Sequence, residues 1–136
     1  MDDQHARYKI HKIYDKNLFC FSPKYSQATI GNRIYIFGGR QGIDMGESSL
    51  NDLFYFDIET KTWTQIPGND TFPAERSFHQ MVSVGEKLFV FGGCGKSGRL
   101  SDLHEFDTAT SKWIKHSNVN TVNATATAIN SIHELL

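Results

Sequence analysis

The residues that could do chemistry here are few, and their spacing argues against most chemistry. Six histidines, His5, His11, His79, His104, His116 and His133, are scattered over 136 residues. No two stand at the separation of zinc or iron ligands, so neither a metal nor a cofactor is expected. Cys20 and Cys94 are the two cysteines, too few for a disulfide framework and without metal-ligand spacing. Cys94 has Lys96 and Arg99 close in sequence, and positive neighbours favour a thiolate; an ordinary loop thiol is the simpler account. Gly93-Cys94-Gly95-Lys96-Ser97 only superficially resembles a phosphate-binding loop, because the upstream glycine and the following helix are missing. No Gly-x-Ser-x-Gly elbow and no suggestively spaced carboxylate pair occurs. What remains is recognition chemistry. Arg40, Arg76 and Arg99 carry planar forks suited to a partner's carboxylates, Lys96 adds a point charge, and Asp44 and Glu47 add the opposite sign.

These side chains sit between stretches that say the same thing twice. The first copy reads Ile34-Tyr35-Ile36-Phe37-Gly38-Gly39, then Asn51-Asp52-Leu53-Phe54-Tyr55-Phe56-Asp57, then Trp63. The second reads Leu88-Phe89-Val90-Phe91-Gly92-Gly93, then Ser101-Asp102-Leu103-His104-Glu105-Phe106-Asp107, then Trp113. The glycine pairs are 54 positions apart (38 to 92) and the tryptophans 50 (63 to 113). The slack falls in a Gly/Ser-rich stretch, Arg40 to Leu50 in one copy and Cys94 to Leu100 in the other. A period near 50 with fixed element order indicates propeller blades.

Each copy predicts four short strands in an antiparallel meander. Gly31-Asn32 and Gly85-Glu86 make tight hairpin turns, and the glycine pairs end the second strands. Pro67 to Pro73 joins the copies. Strand alternation puts Ile34, Ile36, Val82, Val84, Leu88 and Val90 in the interior and Tyr35, Phe37, Phe89 and Phe91 on the opposite side. The expected divisions are an N-terminal segment with further strands (1–21), two repeats (22–66 and 67–116) and a tail with a short helix (117–136).

Together these residues resemble the kelch repeat family. The resemblance rests on Gly38-Gly39, Phe56-Asp57 and Trp63, repeated as Gly92-Gly93, Phe106-Asp107 and Trp113. The second copy adds Pro73, Arg76 and His79 in a Pro-x-x-Arg-x-x-His pattern, where the first has Ser22 and Tyr25 in place of Arg76 and His79. The resemblance implies an all-β chain of two four-stranded antiparallel blades of a kelch-type β-propeller, an incomplete ring. It gives Asp57 and Asp107 turn-closing roles, Trp63 and Trp113 the crevice between blades, and His79 a place in a strand core. It implies capture of a protein partner by loops on one rim, here Arg40 to Leu50, Cys94 to Leu100 and Gly68 to Arg76. Arg76 has a second reading, a structural contact between blades.

Two blades do not close a ring. Either the chain is a piece of a longer propeller, or copies assemble into one as a homo-oligomer, or an unclosed pair folds. A non-catalytic interaction module is the leading reading, and a fragment of a propeller enzyme the alternative. Net charge is −1, from 14 basic and 15 acidic residues, with no basic run, which disfavours nucleic acid. No apolar run approaches a membrane span and the start is polar, so a cytoplasmic or nuclear location is expected.

Overall fold

The computed structural model describes residues 26–40 and 48–117. They form eight strands: β1 (Ser26–Ile30), β2 (Arg33–Arg40), β3 (Ser49–Asp57), β4 (Thr62–Ile66), β5 (Gln80–Val84), β6 (Lys87–Gly95), β7 (Gly98–Asp107) and β8 (Lys112–His116). Two four-stranded antiparallel sheets result, ordered β1-β2-β3-β4 and β5-β6-β7-β8. This is the expected pair of meanders. Among the described residues there is no helix. The expected extra strands near the start and the helix in the tail lie outside the described residues.

The hairpin turns are chemical as well as steric. Asp57 Oδ1 accepts the backbone N–H groups of Glu59 (3.0 Å) and Thr60 (3.1 Å). Asp107 Oδ1 accepts that of Ala109 at 2.8 Å. Short acidic side chains hold turns by mimicking a backbone acceptor, which is the role expected for both.

The glycine pairs do not end their strands. The β2–β3 ladder shifts register between Phe37 and Gly39, and the β6–β7 ladder between Phe91 and Gly93, then each resumes. Cys94 to Leu100, expected as a loop, is therefore mostly ladder, with Gly95 paired to Gly98 around the tip Lys96-Ser97. A bulge leaves one residue unpaired, bends the strand and lets pairing continue. The glycines have φ of +62° and +101° at Gly38 and Gly39, and +63° and +99° at Gly92 and Gly93. Only glycine adopts such values without strain.

The core lies between the sheets. Tyr35, Phe37 and Leu53 of the first pack with Met81, Leu88, Val90, Phe106 and Trp113 of the second. Each sheet thus offers the other a different face. The interior side is Leu88 and Val90 in the second sheet but Tyr35 and Phe37 in the first. Ile36 is buried as expected, at 0% exposure, but it is Tyr35 and Phe37 that meet the second sheet, so the expectation that the same strand positions line the crevice in both copies is corrected. Alternation holds within each strand, and stacking head to tail puts opposite faces together. Phe89 and Phe91 accordingly join a second cluster with Val82 and Leu103 on the far side of the second sheet. Val84, expected inside, is 56% exposed at the end of β5.

Trp113 is the hub of the crevice. Its ring centre lies 4.9 Å from that of Phe106, 5.0 Å from Phe37 and 6.0 Å from Phe72. Phe37 thus crosses from the first sheet to complete the aromatic cluster. Trp63, at the same place in the first sheet, stacks on Phe56 at 5.2 Å and is only half-buried.

Candidate functional site: the bulge rim and its arginines

The ends of β2, β4 and β6 and the starts of β3, β5 and β7 share one rim, because consecutive strands run antiparallel. The link from β4 to β5 crosses this rim between the two bulges. Arg76 joins the first sheet: its N–H donates to Leu50 O (3.0 Å) and its carbonyl accepts from Gly39 N–H (2.9 Å). Ser77 joins the second: its N–H donates to Cys94 O (2.9 Å) and its carbonyl accepts from Cys94 N–H (2.7 Å). One dipeptide is therefore shared by both sheets. A Cβ on Gly93 would stand 2.6 Å from Ser77 O, and one on Gly38 2.8 Å from Arg76 O. The bulge glycines are thus required by close approach of a third strand of backbone as well as by their φ.

The Arg76 side chain does not reach solvent. It is 0% exposed, and its fork is filled: Nη1 and Nη2 donate to Asp102 Oδ1 and Oδ2 at 2.7 and 2.8 Å. Nη1 also donates to Gly92 O (3.2 Å) and Nε to Ala74 O (3.0 Å). Such a bidentate, charge-assisted pair is the strong form of the interaction. His104 Nε2 lies 2.8 Å from Asp102 Oδ2, and its ring meets the Trp113 ring edge-on. Burial of the Asp102 carboxyl opposes ionisation. Hydrogen bonds from His104 and Arg76, with the Arg76 charge, outweigh that and hold it well below the usual carboxylate range. The structure corrects the expectation that Arg76 meets a partner and supports its other reading, a contact that ties the link to the second blade.

Of the other basic residues expected to meet a partner, Lys96 and Arg99 are exposed on the rim and Arg40 is half-buried. Arg40 ends β2 opposite Ser49, and its guanidinium lies 5.1 Å from the centre of the Phe78 ring. Lys96 is exposed at the tip of the β6–β7 hairpin. Arg99 is exposed and pairs across that hairpin with Cys94, which in turn bridges to Ser77. Cys94 is half-buried within the ladder, not in a loop. Asp44 and Glu47 lie outside the described residues. His79 is buried just before β5, with its ring edge-on to Phe37 at 5.4 Å.

Beside the rim, a cavity of about 420 Å³ opens between the first sheet and the link. Its walls include Asn51, Asp52, Gln65, Asp70 and Phe72. Asn51 Nδ2 donates to Pro73 O (3.2 Å), and Asn69 Nδ2 to Ser111 O (3.1 Å), so amide side chains hold the link in place from both sheets. Among the described residues no group of His, Cys, Asp or Glu is placed to hold a metal ion.

Sequence reasoning missed Asp102, His104 and Phe78. The signal for Asp102 was present, since Asn51-Asp52-Leu53 and Ser101-Asp102-Leu103 repeat an aspartate that the turn chemistry does not use. Nothing marked Phe78.

Comparison with known proteins agrees with this geometry. Over 87 residues the chain is 41% identical to N-(sulfonatooxy)prop-2-enimidothioate sulfolyase of Thlaspi arvense, which is 63% of this chain and 24% of that protein. It is 37% identical over 89 residues to Kelch domain-containing protein 10 of Xenopus tropicalis, covering 62% and 21%. It is 39% identical over 80 residues to Rab9 effector protein with kelch motifs of Mus musculus, covering 57% and 20%. The match thus spans a quarter or less of each of these relatives. Residues 11–132 match the family described as the KLHDC2/KLHL20/DRC7 Kelch-repeats domain. Two bulged four-stranded sheets, stacked face to opposite face and stitched at their glycine pairs, are kelch repeats, and this chain belongs to the kelch-repeat family.

Proposed function

We propose that this chain is a non-catalytic protein-interaction module that binds a protein partner through its blade-connecting rim. It works as part of a larger or assembled propeller in the cytoplasm or nucleus, without nucleic acid or membrane contact. The observation that carries this reading is the position of Arg40, Lys96 and Arg99. Lys96 and Arg99 are exposed and Arg40 half-buried on one rim, on hairpins and strand ends braced by the shared Arg76-Ser77 link. Cationic side chains on a rigid scaffold are suited to fixed recognition of a partner's carboxylates. Kelch-named relatives support an interaction role.

The test is proximity labelling and affinity capture with the parent chain, Arg40→Ala and Arg99→Ala in parallel. Loss of a specific set of partners from either variant is expected; an unchanged set overturns the reading. Light scattering after gel filtration separates self-assembly from monomer: a discrete oligomer supports copies completing a ring.

The sulfolyase relative favours a second reading, a fragment of a propeller enzyme. Incubation with N-(sulfonatooxy)prop-2-enimidothioate and measurement of released sulfate tests it. Sulfate release above the blank would replace the interaction reading.

A further inference from the structure

We infer that the far side of the second sheet is a docking surface whose occupant is the chain's own tail, residues 118–136, and that the tail shields this face from a second copy of the chain. The inference concerns a different surface from the rim and does not depend on what the rim binds.

Three rows of cross-strand partners make up this face, because paired residues project to the same side of a sheet. One row is Gln80, Phe91, Leu103 and His116. The next is Val82, Phe89, Glu105 and Ile114, and the last is Val84, Lys87, Asp107 and Lys112. The first sheet packs on the opposite side. Among the described residues, none from outside the second sheet joins the cluster of Val82, Leu103, Phe89 and Phe91. Aliphatic side chains of like size on a face open to water would be wetted alike. Here Leu103 is 1% exposed and Val82 7%, whereas Ile114 is 55% and Val84 56%. Gln80 Oε1 and His116 Nε2 are also shut from water. Burial is therefore deepest in the row that ends at His116 and fades toward the row of Val84. His116 is the last residue of β8, so the tail departs from the buried end of the face.

The chemistry of the two sides agrees. Glu105 is the carboxylate of the middle row; Lys87 Nζ pairs with it at 3.3 Å and His116 Nε2 lies 3.4 Å away. The acid is thus matched within the face, and what remains is an apolar surface that must be covered by another element. Residues 118–136 hold no lysine or arginine and one acid, Glu134. Their Ile129, Ile132 and Leu136 stand at the i, i+3, i+7 spacing of an apolar helical stripe. Reach is sufficient as well. From β8 to β5 is three strand spacings, about 14 Å, which about five extended residues span; residues 118–128 supply eleven before the stripe begins. The segment before Ser26 enters the first sheet instead, across the crevice.

The test is methyl NMR on the intact 136-residue chain and on its Ile129→Asp/Ile132→Asp variant. The Val82 and Leu103 methyl signals should shift in the variant toward the positions of solvent-exposed side chains, while those of Leu88 and Val90 in the crevice stay. The variant's mass by light scattering should exceed the parent's at equal concentration, because the bared face is open to a second copy. If the double variant does not fold, Ile132→Ala is read in the same way. Unmoved Val82 and Leu103 signals overturn the docking. Parent signals at these two residues that move on dilution make a second copy the occupant and overturn it too. Equal masses overturn the shielding and leave the docking standing.

Discussion

Arg76 reaches across 26 positions of sequence to meet both carboxylate oxygens of Asp102, at 2.7 and 2.8 Å, from a site with no exposure to water. Removing Asp102 strands the buried Arg76 charge, and removing Arg76 leaves the carboxylate with His104 alone. Asp102→Asn keeps the shape and leaves the Arg76 charge buried without its counter-ion, so it should cost about 3 kcal/mol or more. Arg76→Lys should be nearly as damaging, because an ammonium cannot fill a two-pronged acceptor. Urea denaturation of the two single variants and the double variant measures this. Costs that simply add would show that the pair is not coupled.

The same carboxylate sets an acid limit. Its folded-state pKa is depressed, so near neutrality it is ionised in both states and contributes its full stabilisation. As the pH falls below about 4, the unfolded chain takes up the proton first. Stability then declines with falling pH, and the folded state is protonated last. Denaturation midpoints measured from pH 7 down to pH 3 should fall, and Asp102→Asn should flatten part of that fall.

Gly93→Ala should be much worse than Gly31→Ala. Both positions have positive φ, +99° and +55°. At Gly31 a Cβ meets nothing within 4 Å, so the cost is conformational, about 1–2 kcal/mol. At Gly93 the new atom would stand 2.6 Å from Ser77 O and 2.9 Å from His79 N, and backbone must move. We expect more than about 3 kcal/mol, or no folded protein. Thermal melts of the two variants side by side decide it.

Trp113→Ala and Trp63→Ala test the head-to-tail stacking. Trp113 is 4% exposed between the sheets, and its removal should cost about 3–5 kcal/mol. Trp63 occupies the same position in its own sheet but is half-buried, and should cost clearly less in this chain. Equal losses would mean that Trp63 is covered as fully as Trp113.

The parts of this fold that could be read from the sequence are those written locally. Glycine pairs, the Phe-Asp turns and the tryptophans lie within a few residues of the strands they punctuate, and an echo at 54 positions for the glycines (38 to 92) and 50 for the rest (57 to 107, 63 to 113) confirms them. What the sequence hid depends on residues meeting from afar. Arg76 looked like a surface fork because its acceptor is 26 residues away. The glycine pairs looked like strand ends because the backbone that presses on them arrives with the link from β4 to β5. The inner and outer faces were assigned alike in both copies because alternation gives parity within a strand, and which parity faces the neighbour is settled only by stacking. Phe78 carried no mark at all, since a phenylalanine with φ of +58° is spelled like any other.

The joint at Arg76-Ser77 has no play in it. Each residue is clamped to a different sheet by main-chain atoms, so the tilt of one blade on the next is written in the backbone and not in the aromatic filling. Lengthening the connection around Gly68 should be harmless, whereas one residue inserted between Arg76 and Ser77 would throw both clamps out of step. Blades taken from different relatives and spliced at this dipeptide should therefore inherit a common angle, whatever side chains lie in the crevice.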